Sequence, residues 1–139
     1  MSVGVWLKRV VAFVWGLPQN LIGGSMALAL WLRGRSQETF RLACVTHWKL
    51  SSGLSLGLFV FVGKYADERL VVHEYGHCLQ SILLGPLYLP LVVVPSLIWA
   101  GLPACERYRA NRNVSYYAHP IEAWANRLGE RLTHLPTPR

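Results

Sequence analysis

Two histidines separated by three residues, in His73-Glu-Tyr-Gly-His77, constrain this chain more than any other feature. On a helix, positions four apart share a face, with Cβ atoms about 5–6 Å apart, so both imidazoles reach one tetrahedral ion. The stretch from Arg69 to Leu84 has no helix breaker except Gly76, Asp67 and Glu68 suit a first turn, and Gly85-Pro86 ends the run. A helix is expected over 66–84. Glu74, next to the first histidine, projects partly toward the same pocket, where it suits the role of general base toward a water. A catalytic zinc ion takes three protein ligands and keeps a fourth position open. The chain must therefore fold back and deliver one more donor.

The choice of donor is small. Position 83 is Leu83, which removes the third histidine of the metzincin pattern. Downstream of the motif stand Glu106, Glu122, Glu130, His119 and His134. Glu106 and Glu130 lie among arginines and suit solvated surface charges. Glu122 lies among Ile121, Ala123, Trp124 and Ala125, on a helix expected over 120–129 that Pro120 opens and Gly129 closes. A carboxylate in apolar company needs a partner, either a metal ion or an arginine. Tyr116, Tyr117 and His119 precede that helix, and each is a candidate donor to the oxyanion of a tetrahedral intermediate, with membrane-interface anchoring as the alternative for the tyrosines.

Composition argues for lipid. Of 139 residues, 53% are hydrophobic and 15% charged, and the six tryptophans and net charge of +7 are distributed around apolar runs. The basic residues are scattered with no stacking or groove-reading motif, which argues against nucleic acid as a partner. Cys44, Cys78 and Cys105 have no paired spacing and suit small buried positions. Length allows one domain, residues 1–139. Residues 10–32 are apolar except at Gln19, Asn20 and Ser25, and Pro18 divides them into two short helices, an arrangement for a kinked, membrane-associated segment that is retained rather than cleaved. Residues 39–63 have β character around Ser51-Ser52-Gly53 and are expected to form a hairpin. Residues 86–104 are apolar with four prolines, which argues against a regular helix. Because the ligands on either side of this run must meet, it is expected to be a re-entrant or interfacial excursion. The basic flanks place its ends on the cytoplasmic side. The fold class expected is α+β, mainly α, with membrane-associated helices.

The pairing of His73-Glu-x-x-His77 with a distant Glu122-Ala-Trp-Ala125-Asn126 resembles the gluzincin zinc metallopeptidases. That resemblance implies Zn²⁺ held by His73, His77 and Glu122, catalysis by Glu74 on a peptide or protein substrate, and Asn126 as the partner orienting His73. It also implies that the strand around Ser55 to Val60 pairs with an extended substrate, with plain sheet as the alternative. Ile121 stands where many gluzincins carry Asn, and Asn126 where Asp is frequent. The wider context, His73 through Tyr88, resembles an uncharacterised group of small bacterial membrane proteins with this motif, which implies an inner-membrane location. Intramembrane metalloproteases use a distant aspartate as a ligand, and Asp67, the one aspartate here, is too near on the same helix. The competing reading is a non-catalytic membrane protein with a structural or vestigial zinc site, serving as an interaction partner. An intact Glu74 argues against it, because a structural site has no use for a base.

Overall fold

The computed structural model describes residues 3–139. The chain is α+β and mainly helical, with one four-stranded sheet. Helices α1 (Val3–Trp15) and α2 (Leu17–Leu32) meet at Gly16, and Pro18 lies in the first turn of α2, where its missing N–H leaves no bond unmade. Two of the polar residues that interrupt the apolar run, Gln19 and Asn20, are fully buried cross-links, whereas Ser25 is exposed. Asn20 Nδ2 donates to the Ala12 and Phe13 carbonyls near the end of α1, at 3.2 and 3.0 Å, and Asn20 Oδ1 accepts from the Leu58 N–H at 2.7 Å. Gln19 Nε2 donates to Ser81 Oγ and to the Gly85 carbonyl.

Residues 39–63 do not form the single hairpin expected. Strands β1 (Gln37–Phe40), β2 (Ala43–Trp48), β3 (Leu54–Leu56) and β4 (Phe59–Gly63) lie in the order β1-β2-β4-β3. Two tight hairpins, β1–β2 and β3–β4, sit side by side, and β2 runs parallel to β4, from Cys44↔Phe59 to Trp48↔Gly63. The Ser51-Ser52-Gly53 segment is the connection that carries the chain past the sheet rather than a turn between paired strands. Burial explains the order. Val60, Phe61 and Val62 are buried on both faces and take a central position, whereas the three-residue β3 takes an edge. The second hairpin turns at Gly57 (φ 67°), where a side chain would be strained and its Cβ would lie 2.0 Å from Asn20 Oδ1.

Helix α3 (Glu68–Leu84) opens at Asp67, whose side chain accepts from the Leu70 N–H at 3.0 Å, and stops at Gly85. Val60 and Val62 face Val71, Tyr75 and Leu79 of α3 in one core, while Phe61 points the other way onto Ala27 of α2 in a second. From Gly85 the chain stays helical in changing form, so no regular helix runs through the four prolines, as expected, although most of the run is helical. A 3₁₀ turn (Gly85–Leu87), a π turn (Leu89–Val93), α4 (Val94–Gly101) and α5 (Pro103–Arg112) follow one another, and each opens with a proline in its first two positions. There the missing N–H has no partner to lose, so the prolines set where each segment restarts. Among the described residues no single helix is long and apolar enough to cross a membrane, although the pair Leu89–Gly101 and Pro103–Arg112, bent by 68°, passes that test together.

After a 3₁₀ turn (Tyr116–Ala118), α6 opens at Pro120 and runs to Thr133. Gly129 does not close it. That glycine sits where α6 crosses α3, and a Cβ there would lie 2.5 Å from the Val72 carbonyl. Gly76 answers it from α3, since its Cβ would lie 2.0 Å from the Ala125 carbonyl. The two helices pack against each other more extensively than any other pair of elements, and the small residues at the crossing set how close they come.

Candidate metal centre

That close crossing brings the candidate ligands together. His73 and His77 point from one face of α3, their rings 4.8 Å apart and nearly perpendicular. Glu122, in the first turn of α6, places Oε2 3.2 Å from His73 Nε2 and 3.0 Å from His77 Nε2. One donor atom from each residue lies within 4.8 Å of the other two, and all three residues are buried. This group is able to hold a metal ion, though nothing in it selects zinc over other divalent ions.

The outer nitrogens explain why the inner ones converge. His73 Nδ1 lies 2.7 Å from Asn126 Oδ1, and His77 Nδ1 lies 2.7 Å from Gln80 Oε1. Each amide is oriented by its own nitrogen, because Asn126 Nδ2 donates to the Pro138 carbonyl and Gln80 Nε2 to the Ile121 carbonyl. Both oxygens therefore face the rings, both Nδ1 atoms carry hydrogen, and each Nε2 is turned toward Glu122. Three lone-pair donors at this distance repel one another unless protons or a cation lie between them. A divalent cation satisfies all three at once, so the donor set fits one.

Glu122 is anionic in this setting. Burial alone would raise its carboxyl, but hydrogen bonds from His73 and His77 outweigh that and hold it well below the ordinary carboxylate range. Burial likewise disfavours a charged His77, yet Glu122 and Glu74 outweigh it and raise its pKa. The remaining oxygen, Glu122 Oε1, accepts from Ser96 Oγ of α4 at 2.5 Å, and Tyr116 OH in turn lies 3.4 Å from Ser96 Oγ. With Oε1 engaged, Oε2 is the atom presented to the histidines.

Glu74 lies on the wall of a cavity of about 60 Å³ that it shares with His77, Ser96 and Tyr116. Its Oε2 accepts from Ser55 Oγ at 2.7 Å, and a Cβ at Gly53 would lie 2.0 Å from its Oε1, so the start of the edge strand β3 packs directly on this carboxylate. Of the three residues expected near an oxyanion, Tyr116 lines this cavity. Tyr117 packs edge-on against His73 from the outside, with ring centroids 4.9 Å apart. His119 stacks on Trp99 and does not line the cavity. Residues 55–60, expected to form one strand that pairs with substrate, instead turn at Gly57 between β3 and β4, and the Ser55 carbonyl already accepts from Tyr88 OH at 2.9 Å.

Sequence reasoning passed over Gln80, Ser96 and Ser55. Gln80 carried a usable signal, since it lies three residues after His77 on the same helix face. Ser96 and Ser55 carried none, because their partners are 26 and 19 residues away. Comparison with known protein families, curated proteins and solved structures finds no match to this chain.

Proposed function

We propose that this chain is a zinc-dependent metallohydrolase, a peptidase working at a membrane, with His73, His77 and Glu122 as ligands and Glu74 as general base. The observation that carries this reading is the convergence of three buried donor atoms, each oriented by a second hydrogen bond, beside a carboxylate that holds no ligand position. Bound there, zinc supplies a water of lowered pKa and polarises the carbonyl under attack. The chain's own groups do the rest. Glu74, held by Ser55 Oγ, takes the proton of the attacking water and passes it to the leaving amine. Tyr116 OH, on the same wall, is placed to donate to the developing oxyanion.

Apolar surface supports the membrane half of the proposal. Trp6, Leu21, Leu28, Trp31 and Leu32 on α1 and α2 and Leu91, Val94 and Ile98 of the proline-rich run are all at least half exposed. Basic residues flank these faces, as suits a cytoplasmic leaflet. In this reading residues 86–104 form an excursion that enters and leaves the bilayer on the same side, with Arg107, Arg109 and Arg112 of α5 outside it. The decisive test is zinc content of the purified chain together with hydrolysis of a mixed peptide library. A protein that binds no zinc overturns the reading, and so does a Glu74→Gln variant with full activity.

A further inference from the structure

A second cleft, of about 530 Å³, is lined by Lys49, Leu50 and Ser51, shortly before the Gly53 that lines the metal cavity, and by cations from three different parts of the chain. Arg35 follows α2, Lys49 follows β2, and Lys64 follows β4. No acidic residue lines this cleft, and none of the three cations has an ion-pair partner among the described residues. Its aromatic members are Trp48 and Tyr65. Trp48 is pinned by its Nε1–H to the Ser52 carbonyl and stacks on Phe61, whereas Tyr65 is 90% exposed under the Lys64 ammonium. Three like charges brought together from separate elements repel one another, and a bound anion removes that cost.

The position of the cleft says which anion. Arg35 is three residues beyond Leu32, the exposed apolar end of α2, and Leu30 packs in the same core cluster as Trp48. Leu50, on the cleft wall, is itself 56% exposed. Exposed apolar side chains, Leu32 and Leu50, thus stand close in the chain to two of the cleft's cations, Arg35 and Lys49. That sequence of chemistries matches acyl chains followed by a phosphate.

We infer that Arg35, Lys49 and Lys64 form a binding site for the phosphate of an anionic phospholipid whose acyl chains lie along Trp31 and Leu32. The inference rests on the membrane half of the proposed function and is independent of the metal. The site anchors the 49–53 segment, which carries Gly53 against Glu74, so an occupied cleft steadies one wall of the metal cavity.

The test uses the full-length protein in phosphatidylcholine-containing mixed micelles doped with phosphatidylglycerol brominated on its acyl chains. Quenching of Trp31 is read as the difference between the wild type and Trp31→Phe. Saturable quenching is expected with brominated phosphatidylglycerol, and non-saturating quenching with brominated phosphatidylcholine. The triple variant Arg35→Gln, Lys49→Gln, Lys64→Gln should need on the order of a hundredfold more anionic lipid, at about fivefold per cation. A charge-matched control, Arg69→Gln, Arg127→Gln, Arg131→Gln, should behave as wild type. Equal loss in both triple variants overturns the inference, because net charge rather than this cleft then does the binding. Displacement of the lipid by millimolar inorganic phosphate overturns the lipid assignment in favour of a free-anion site. Identical quenching by both lipids removes the cleft but leaves the membrane reading standing, and no quenching by either lipid removes both. Unchanged zinc content in the cleft variant shows that it has folded.

Discussion

At the scale of single residues, the centre depends on atoms that never touch a metal. Zinc content should be one equivalent in the wild type and in Glu74→Gln, and should be lost in His73→Ala, His77→Ala and Glu122→Ala. Retained zinc in Glu122→Ala would reassign the third ligand. Gln80→Leu removes the acceptor on His77 Nδ1 and frees that ring to rotate or change tautomer. Zinc affinity, measured by competition with a chromophoric chelator, should fall about 10- to 100-fold, and Gln80→Glu, which keeps an acceptor, should recover most of it. After the metal is stripped with a chelator, the same residues set a pH dependence. Glu122 is held below its ordinary value of 4.5, so its contribution is present above that pH and lost as pH falls through its lowered value. His77 is raised above its ordinary value of 6.5, so its contribution is complete below that pH and lost as pH rises through the raised value. Thermal unfolding of the stripped protein should therefore show its highest midpoint between pH 4.5 and 6.5. A midpoint still rising above that window would mean that the histidines are neutral and the pair does not form.

At the scale of elements, the α3–α6 crossing decides whether the ligands meet. In an ordinary helix, Gly→Ala stabilises by about 1 kcal/mol. Gly76→Ala should do the reverse, because the new methyl would lie 2.0 Å from the Ala125 carbonyl and force the helices apart. A loss of about 1–3 kcal/mol, as in other overpacked cores, is expected, together with weaker zinc binding as Glu122 moves off the histidines. A more stable Gly76→Ala protein would show that the crossing is looser than described. The proline-rich run has a comparable role on the other side, since Ser96 of α4 holds Glu122 Oε1 and Trp99 donates to the Tyr116 carbonyl. The apolar segment is thus fastened to the metal centre at both Ser96 and Trp99.

At the scale of the whole molecule, the outer surfaces of α1, α2 and the proline-rich run leave more large apolar side chains exposed than solubility favours. Extraction from membranes should need detergent, and a monodisperse monomer in plain buffer would end the membrane proposal while leaving the metal centre intact. The excursion through 86–104 returns to its starting side in this proposal, so single cysteines at Lys64 and Arg112 should both label from the cytoplasm. Labelling from opposite faces would overturn it.

Where a signal was local, the sequence alone was sufficient. The helical spacing of His73 and His77, the Asp67 start and Gly85 stop of α3, the division of residues 10–32 near Pro18 and the Pro120 start of α6 all rest on interactions within a turn or two of chain. Glu122 stood out as a carboxylate beside apolar residues and is itself fully buried, although of those neighbours only Ala125 is buried and the contacts of Glu122 are His73, His77 and Ser96. What depended on distant partners was not legible. β4 takes β2 as a parallel neighbour because its buried faces need cover from two sides, and hairpin patterns do not encode that choice. Gly129 looked like a helix stop because a glycine lacks a side chain, and only the crossing with α3 shows that the lack is used for close approach instead. Gln19 and Asn20 looked like interruptions in an apolar helix, but tertiary structure made them its cross-links, because the fold brings acceptors to both amide nitrogens and a donor to Asn20 Oδ1.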